Sequence, residues 1–147
     1  MQVRPLDRTE IASWVDLRAM LWPEQPRGEL ESEGRAAIEA APPSLVVFVA
    51  DDGARLLGFI EISLRGYAEG CDGSPVPYVE GWYVRDDARR RGVGGALLRA
   101  VEAWCRERGY VELGSDALAE NRLSRVAHAA LGFSEVETLL VFRKRLC

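Results

Sequence analysis

The sequence has few cysteines, a single histidine and no long apolar run, and each of these shortages excludes a class of protein. Its three cysteines, Cys71, Cys105 and Cys147, are widely spaced and form no Cys-x-x-Cys pair, and His128 is the only histidine. We therefore expect no structural zinc or other metal, and reduced thiols in a cytoplasmic protein. No apolar stretch approaches the roughly 18 residues of a membrane-spanning helix, and the polar N-terminus does not resemble a signal peptide.

The composition is that of one globular domain. Hydrophobic residues make up 48% and charged residues 29% of the 147, so disorder is not expected. The length and the absence of a linker or repeat predict a single domain over residues 1–147. The formal net charge of −4 argues against nucleic acid as a partner and suits a neutral or cationic substrate.

The order of apolar patterns predicts an α/β fold, with a mixed central sheet and helices on both of its faces. Asp7 and Glu10 have the spacing of a capping box, and helical spacing follows from Ile11 to Leu21. Helices are predicted at 11–21, 29–41, 92–108 and 121–131. Strands are predicted at 44–50, 56–64, 78–84 and 110–115, with one or two more in 133–145. Residues 65–75 are predicted to form a glycine-containing loop.

A basic, glycine-containing turn joins the third predicted strand to the helix that follows it. The turn and the first helical residues are Arg89, Arg90, Arg91, Gly92, Val93, Gly94 and Gly95. Glycine admits close approach of an anion to the free N–H groups at a helix start, where the helix dipole also favours negative charge. Arginine opposes that dipole, and each glycine costs the helix up to about 1 kcal/mol, so these residues indicate phosphate binding. The alternative is a surface helix with a cationic first turn.

This turn lacks the signatures of the common nucleotide-binding loops. No Gly-Lys-Ser/Thr follows it, and its glycine spacing differs from that of the dinucleotide fingerprint. Arg89-x-x-Gly92-x-Gly94 instead resembles the Arg/Gln-x-x-Gly-x-Gly/Ala motif of the GNAT superfamily of N-acetyltransferases. Asn121 and the later Gly132-Phe133 occur in the order that the family shows. The resemblance implies the GNAT fold, with the pyrophosphate of acetyl-CoA bound at the turn.

A narrower resemblance is to the aminoglycoside 6′-N-acetyltransferases. The residues that carry it are Leu17-Arg18, Leu21-Trp22-Pro23, Tyr67, Cys71-Asp72, Ser74-Pro75, Glu80-Gly81, Ser115-Asp116 and His128 through Phe133. This resemblance implies acetyl transfer to a primary amine of the antibiotic, and a homodimer formed through C-terminal strands that include the apolar stretch from Leu139 to Phe142. It implies coenzyme contacts at Trp82, Tyr83, Val84, Arg90, Arg91, Gly92, Val93, Gly94, Gly95 and Asn121. It implies substrate contacts at Trp22, Tyr67, Glu80, Asp116 and Glu137.

Carboxylates have a physical reason to gather at a site for a polycationic sugar, since opposite charges attract. Asp72 lies on a predicted loop, Glu80 within an apolar strand and Asp116 at a strand end. A glutamate in an apolar strand is rare without a partner or a function, and burial there would raise its pKa toward neutrality. We therefore expect Glu80 to be the base that deprotonates the amine, directly or through water, with Asp116 as the alternative. Asp72 as a turn residue and Asp116 as a helix cap are the structural alternatives.

Four further residues each have a functional and a structural interpretation. His128 stands where many family members have a tyrosine, so it is a candidate proton donor to the leaving thiolate, or a packed helix residue. Asn121 either orients the pantetheine arm or caps a helix. Trp22 and Tyr67 either stack on the sugar or belong to the core or a lid.

The same residues leave other functions open. One is acetylation of a different amine, such as a polyamine, a protein N-terminus or a lysine, because a fold does not fix a substrate. Another is an acyl-CoA-sensing module that binds the coenzyme without transferring its acyl group.

Overall fold

A four-stranded antiparallel sheet in the order β1-β2-β3-β4 is the central element of the computed structural model, which describes residues 1–146. The strands are β1 (Gln2–Pro5), β2 (Val46–Asp51), β3 (Leu56–Arg65) and β4 (Val76–Val84). The helices are α1 (Ile11–Leu21), α2 (Arg27–Glu39), α3 (Val93–Glu107) and α4 (Arg122–Ala130), and short 3-10 turns occupy Arg8–Glu10 and Asp86–Ala88. The α/β fold class is therefore confirmed, with each predicted helix displaced by no more than two residues at either end.

Helices cover both faces of the sheet, as predicted. On one face, Trp14 and Leu17 of α1 pack with Leu30 of α2 against Val49 and Phe59, and all five side chains are fully buried. Alternate strand residues point to the opposite face, where α3 contacts β2, β3 and β4 and buries Leu97, Leu98 and Val101.

The capping box predicted at the first helix is present. The N–H of Thr9 donates to Asp7 Oδ1 over 2.8 Å, and the N–H of Asp7 donates to Glu10 Oε2 over 3.2 Å. It caps the 3-10 turn that leads directly into α1. Arg4 of β1 holds Glu10 and Asp51 at 2.6 and 2.8 Å, and so ties this turn to the first two strands.

Two of the strand predictions are wrong. The strand expected at 110–115 is reduced to one parallel bridge between Tyr78 and Gly114, where Val79 N–H donates to Gly114 O over 2.9 Å. Gly114 approaches β4 so closely that a Cβ there would lie 2.6 Å from the Tyr78 ring. The sequence predicts a mixed sheet. Among the described residues, its parallel pairing is limited to this bridge between Tyr78 and Gly114. No strand forms in residues 133–146, where the apolar pattern finds no hydrogen-bonding partner strand within the described chain.

The chain divides into two compact units, Met1–Ser115 and Asp116–Cys147. The first contains the sheet with α1, α2 and α3, and the second contains α4. Cys71 and Cys105 are free thiols, while Cys147 lies outside the described residues. Among residues 1–146, no helix has the length and apolar character needed to cross a membrane.

Candidate active site

A β-bulge at Glu80 interrupts the pairing of β3 with β4. Val79 pairs with Ile62 and Gly81 with Glu61, so Glu80 is an extra residue in β4. Gly81 is required there by space, because a Cβ would lie 2.8 Å from Cη2 of Trp22 and 3.1 Å from Cγ of Glu61. The bulge therefore places Trp22, at the end of α1, beside the residue that follows Glu80.

The carboxylate of Glu80 is held by two side chains of β3. Its Oε1 accepts hydrogen bonds from Ser63 Oγ and Arg65 Nε, both at 2.7 Å, and its Oε2 accepts one from Arg65 Nη2 at 2.9 Å. Partial burial favours a higher pKa for Glu80, but the hydrogen bonds from Arg65 and Ser63, with the charge of Arg65, outweigh it and lower the pKa. The predicted rise in the pKa of Glu80 is therefore wrong, because the sequence did not reveal its pairing with Arg65.

A second glutamate, Glu61, has the environment that was expected for Glu80. It is 2% exposed, and Arg18 Nη1 donates to its two carboxylate oxygens over 3.0 and 2.9 Å. Burial raises the pKa of Glu61 to about 7, while the charge of Arg18 and its hydrogen bonds oppose the rise. Sequence reasoning missed Glu61, although it stands in the apolar run Phe59-Ile60-Glu61-Ile62 and the argument used for Glu80 applies to it equally.

The buried Arg18–Glu61 pair also fixes Trp22. The guanidinium carbon of Arg18 lies 4.8 Å from the ring centroid of Trp14 and 5.0 Å from that of Trp22. Trp22 also meets Phe59 edge-on, with 6.4 Å between the centroids. Trp22 is thus a partly buried aromatic wall beside the bulge, and it also packs against the core cluster that contains Trp14 and Phe59.

The glycine turn after β4 has the backbone shape of an anion cradle. Arg90 and Gly92 have left-handed backbones, with φ of 62° and 80°. Gly92 is the N-cap of α3, and the first helical hydrogen bond runs from Ala96 N–H to Gly92 O over 3.0 Å. The N–H groups of the residues between them therefore precede the helical ladder and are available to a ligand. A Cβ on Gly94 would make ordinary van der Waals contacts with Trp82 Nε1 and Val84 Cγ2, both at 3.8 Å, so a methyl group fits there without a clash.

The three arginines of this turn differ in their surroundings. Arg89 Nε donates to Val84 O over 3.0 Å, its Nη1 lies 3.0 Å from Asp86 Oδ1, and its guanidinium carbon lies 5.4 Å from the Tyr83 ring centroid. Arg89 therefore ties the turn back to β4. Arg90 and Arg91 are exposed, which leaves them as the arginines best placed to meet a phosphate.

The loop before β4 carries the other predicted substrate residues of the first unit. Tyr67 is 68% exposed, and its hydroxyl donates to Glu69 Oε2 over 3.0 Å. The backbone N–H groups of Asp72 and Gly73 both donate to Glu112 Oε1, over 2.8 Å from Asp72. Glu112, which the sequence analysis did not single out, therefore shapes the loop and leaves the exposed Asp72 carboxylate on its surface.

The remaining predicted site residues lie in the second unit. Asn121 caps α4, its side-chain oxygen accepting from Ser124 N–H over 3.1 Å, which is the structural alternative stated above. His128 Nδ1 lies 2.7 Å from Ser124 O, where an Nδ1–H donates a hydrogen bond to that carbonyl, and the ring meets Phe133 edge-on, with 5.0 Å between the centroids. Asp116 and Glu137 are exposed. The site roles of these four residues remain predictions.

Comparisons with known proteins give one family. Residues 14–133 match the family model described as the acetyltransferase (GNAT) family. The chain is 45% identical over 147 residues to the aminoglycoside N(6′)-acetyltransferase type 1 of Klebsiella aerogenes, covering 98% of this chain and 96% of that protein. It is 38% identical over 146 residues to the enzyme of the same name from Salmonella typhimurium, covering 99% of each.

Solved structures agree in fold. AAC(6′)-Iy, in complex with the bisubstrate analog CoA-S-monomethyl-acetylneamine, has a TM-score of 0.90 and 36% identity over 98% of this chain and 97% of that one. Apo AAC(6′)-IG from Acinetobacter haemolyticus has a TM-score of 0.90 and 29% identity over 100% of both chains. With a family model that spans 14–133 and relatives similar along nearly the whole chain, this protein belongs to the GNAT family of acetyltransferases.

Proposed function

We propose that this protein transfers the acetyl group of acetyl-CoA to the 6′-amine of aminoglycoside antibiotics, by direct transfer within a ternary complex. The observation that carries the proposal is the organisation of β4. Within residues 80–84 the strand passes from a carboxylate beside an aromatic wall to the segment that leads into the glycine cradle. Acceptor and donor groups therefore lie next to each other along one strand, and the named relatives support this reaction.

The donor side is assigned to the end of β4 and the cradle. Acetyl-CoA, when bound, supplies the acetyl group as a thioester. The backbone of Trp82, Tyr83 and Val84 is suited to hold its peptide-like arm, and the N–H groups of Arg90 to Gly95 to hold the pyrophosphate. The N–H groups of Val93, Gly94 and Gly95, which precede the helical ladder, support this fit. Asn121 is proposed to orient the same arm, and Arg89 to position the turn.

In the first unit, the acceptor side is assigned to the bulge and the loop before β4; the substrate roles of Asp116 and Glu137 are proposed on the resemblance alone. Trp22 and Tyr67 supply aromatic faces for the sugar rings, and Asp72, Glu80, Asp116 and Glu137 supply negative charge. A substrate with several ammonium groups gains from each carboxylate, whereas a neutral peptide does not. This charge distribution favours the aminoglycoside over a peptide amine as the acceptor.

Two proton transfers accompany the reaction. An ammonium must lose a proton before its nitrogen bonds to the acetyl carbon, and the sulfur gains a proton as the carbon–sulfur bond breaks. Because its pKa is lowered, Glu80 is suited to anchor an ammonium, and Asp116 becomes the preferred candidate to take the proton. His128 is the candidate donor to sulfur, and it can donate from Nε2 when both of its nitrogens are protonated.

We also propose that the chain is a single domain that forms a homodimer in the cytoplasm. The family model crosses the boundary between the two units, which supports one domain. Leu139, Leu140, Val141 and Phe142 are 60–87% exposed, and four consecutive exposed apolar residues support association. The free thiols of Cys71 and Cys105 agree with a reducing compartment.

Release of the CoA thiol, measured with separate acceptors, tests the function. Acetyl-CoA is supplied with kanamycin, with spermine, or with a peptide that has one free amine, and the product is located by NMR. We expect release that depends on kanamycin, with acetylation at the 6′-amine. Release with only spermine or peptide would reassign the acceptor, and calorimetric binding of acetyl-CoA without any release would indicate a sensing module.

A further inference from the structure

We propose that Arg65 is a specificity-determining residue that acts as a built-in competitor of the acceptor. Its guanidinium occupies the Glu80 carboxylate in the substrate-free protein, and an acceptor ammonium binds Glu80 in competition with it. The inference deepens the proposed function and rests on it. It concerns a residue that no feature of the sequence singled out.

The geometry of the pair is that of a bound cation. Arg65 Nε and Nη2 reach the two oxygens of Glu80 over 2.7 and 2.9 Å, in the fork arrangement that arginine makes with carboxylates. The guanidinium carbon lies 3.6 Å from the ring centroid of Tyr78, so a cation–π contact also stabilises Arg65 in this position. Glu80 thus holds a protein cation where the proposed function places a substrate cation.

The exposure of the pair allows exchange. The side chains of Arg65 and Glu80 are 40% and 27% exposed, so water reaches both and screens their attraction. The neighbouring pair of Arg18 and Glu61 is 6% and 2% exposed and is closed to any ligand. The two pairs therefore differ in their access to ligands. Arg18 and Glu61 belong to the core, whereas Glu80 can exchange the guanidinium of Arg65 for another cation.

The protonation of Glu80 supports the same conclusion. Because the pKa of Glu80 is lowered, its carboxylate is ionised at neutral pH, as an ammonium anchor must be. Without the positive charge of Arg65 the carboxylate keeps its hydrogen bond from Ser63, and an arriving ammonium supplies the opposite charge that Arg65 supplies in the wild-type protein. An ammonium would then bind it without first displacing a guanidinium.

Substitution of Arg65 gives the kinetic test. In Arg65→Met the KM for kanamycin is expected to fall about 2- to 5-fold, the ratio that an exposed ion pair is worth. In Arg65→Lys the KM stays near the wild-type value because the charge remains. Arg106→Met is the matched control: it removes the same charge from an exposed pair with Glu102 on α3, and its KM should not change. A KM that rises or stays constant in Arg65→Met overturns the proposal.

A measurement without turnover covers the case in which a variant does not fold. The Nε–H resonance of Arg65 in the wild-type protein is followed by NMR during addition of ethylammonium chloride, against sodium chloride at equal ionic strength. We expect a shift with ethylammonium that is absent in Glu80→Gln. The same shift with both salts would overturn the competition. Failure to acetylate kanamycin would remove the proposed function while leaving this exchange measurable.

Discussion

Two glutamates on adjacent strands, Glu61 and Glu80, are each bound by an arginine, yet their pKa values move in opposite directions. Burial dominates at Glu61, which one nitrogen of Arg18 contacts in a dry core. At Glu80, three hydrogen bonds and a nearby charge outweigh partial burial. The number of donors and the access of water, rather than the residue type, decide which carboxylate anchors a cation.

The raised pKa of Glu61 has a consequence for stability. The folded protein retains this proton up to about pH 7, whereas the unfolded chain loses it near pH 4.5. The contribution of Glu61 to the free energy of unfolding is therefore fully present below pH 4.5 and decreases as the pH rises to about 7. In urea denaturation at several pH values, wild type is expected to lose stability relative to Glu61→Gln across this interval. A difference that is constant with pH would contradict the assignment.

Kinetics with kanamycin separate the two carboxylates assigned to the acceptor. Glu80→Gln removes an anchor, so we expect a higher KM with little change in kcat. Asp116→Asn removes the candidate base, so we expect kcat to fall by roughly 10²- to 10⁴-fold. Acetyl-CoA affinity should be nearly unchanged in both variants, which serves as their folding control. The opposite pattern, with the kcat loss in Glu80→Gln, would make Glu80 the base.

For single residues, the sequence indicates which residue types a site of this kind needs, but it does not show which side chains contact them. Glu80, which the sequence shows as a charged residue in an apolar strand, is the bulged residue, and Trp22 lies beside Gly81; the site roles of both stay predictions. Arg65 and Arg18 were missed because their functions arise from contacts across strands and helices. Asn121 was left open between two roles, and its cap contact with Ser124 is the one that the structure displays.

The cradle at the start of α3 is the element on which acetyl-CoA binding depends. Gly94→Glu adds bulk and negative charge above N–H groups that are assigned to a pyrophosphate, so we expect it to abolish acetyl-CoA binding in calorimetry. Gly94→Ala should still bind, because a Cβ there has no neighbour within 3.8 Å.

Gly28→Glu is the matched control for this change. It places the same side chain in the first turn of α2, where a Cβ would meet nothing within 4 Å. We expect this variant to bind acetyl-CoA as wild type does. Unchanged affinity in a folded Gly94→Glu protein would remove the pyrophosphate from this turn.

The helices and the central hairpin could be predicted because their signals are local. Capping residues, proline stops and apolar spacing lie within the element that they define. β1 was not predicted, because its four residues are too short a run to indicate a strand and are fixed by pairing with β2. The strand at 110–115 was predicted wrongly for the converse reason, since an apolar pattern forms a strand only where a partner supplies hydrogen bonds.

For the whole molecule, the proposed homodimer can be tested by measuring the mass of the protein in solution. Scattering at micromolar concentration should give twice the 16.3 kDa of one chain. Phe142→Glu places a charge in the exposed apolar stretch, where Phe142 is 85% exposed, and should shift the mass toward one chain. A wild-type mass of one chain at that concentration would exclude the dimer.

The bulge in β4 also means that Glu80 can be lost without changing the frame of the sheet. The flanking pairs, Val79 with Ile62 and Gly81 with Glu61, follow one another directly on β3, and Glu80 is the one extra residue that β4 inserts between them. Deletion of residue 80 would restore regular alternation, and every other β4 side chain would keep its face. An in-frame loss of this single codon is therefore expected to give a folded protein without its anchor.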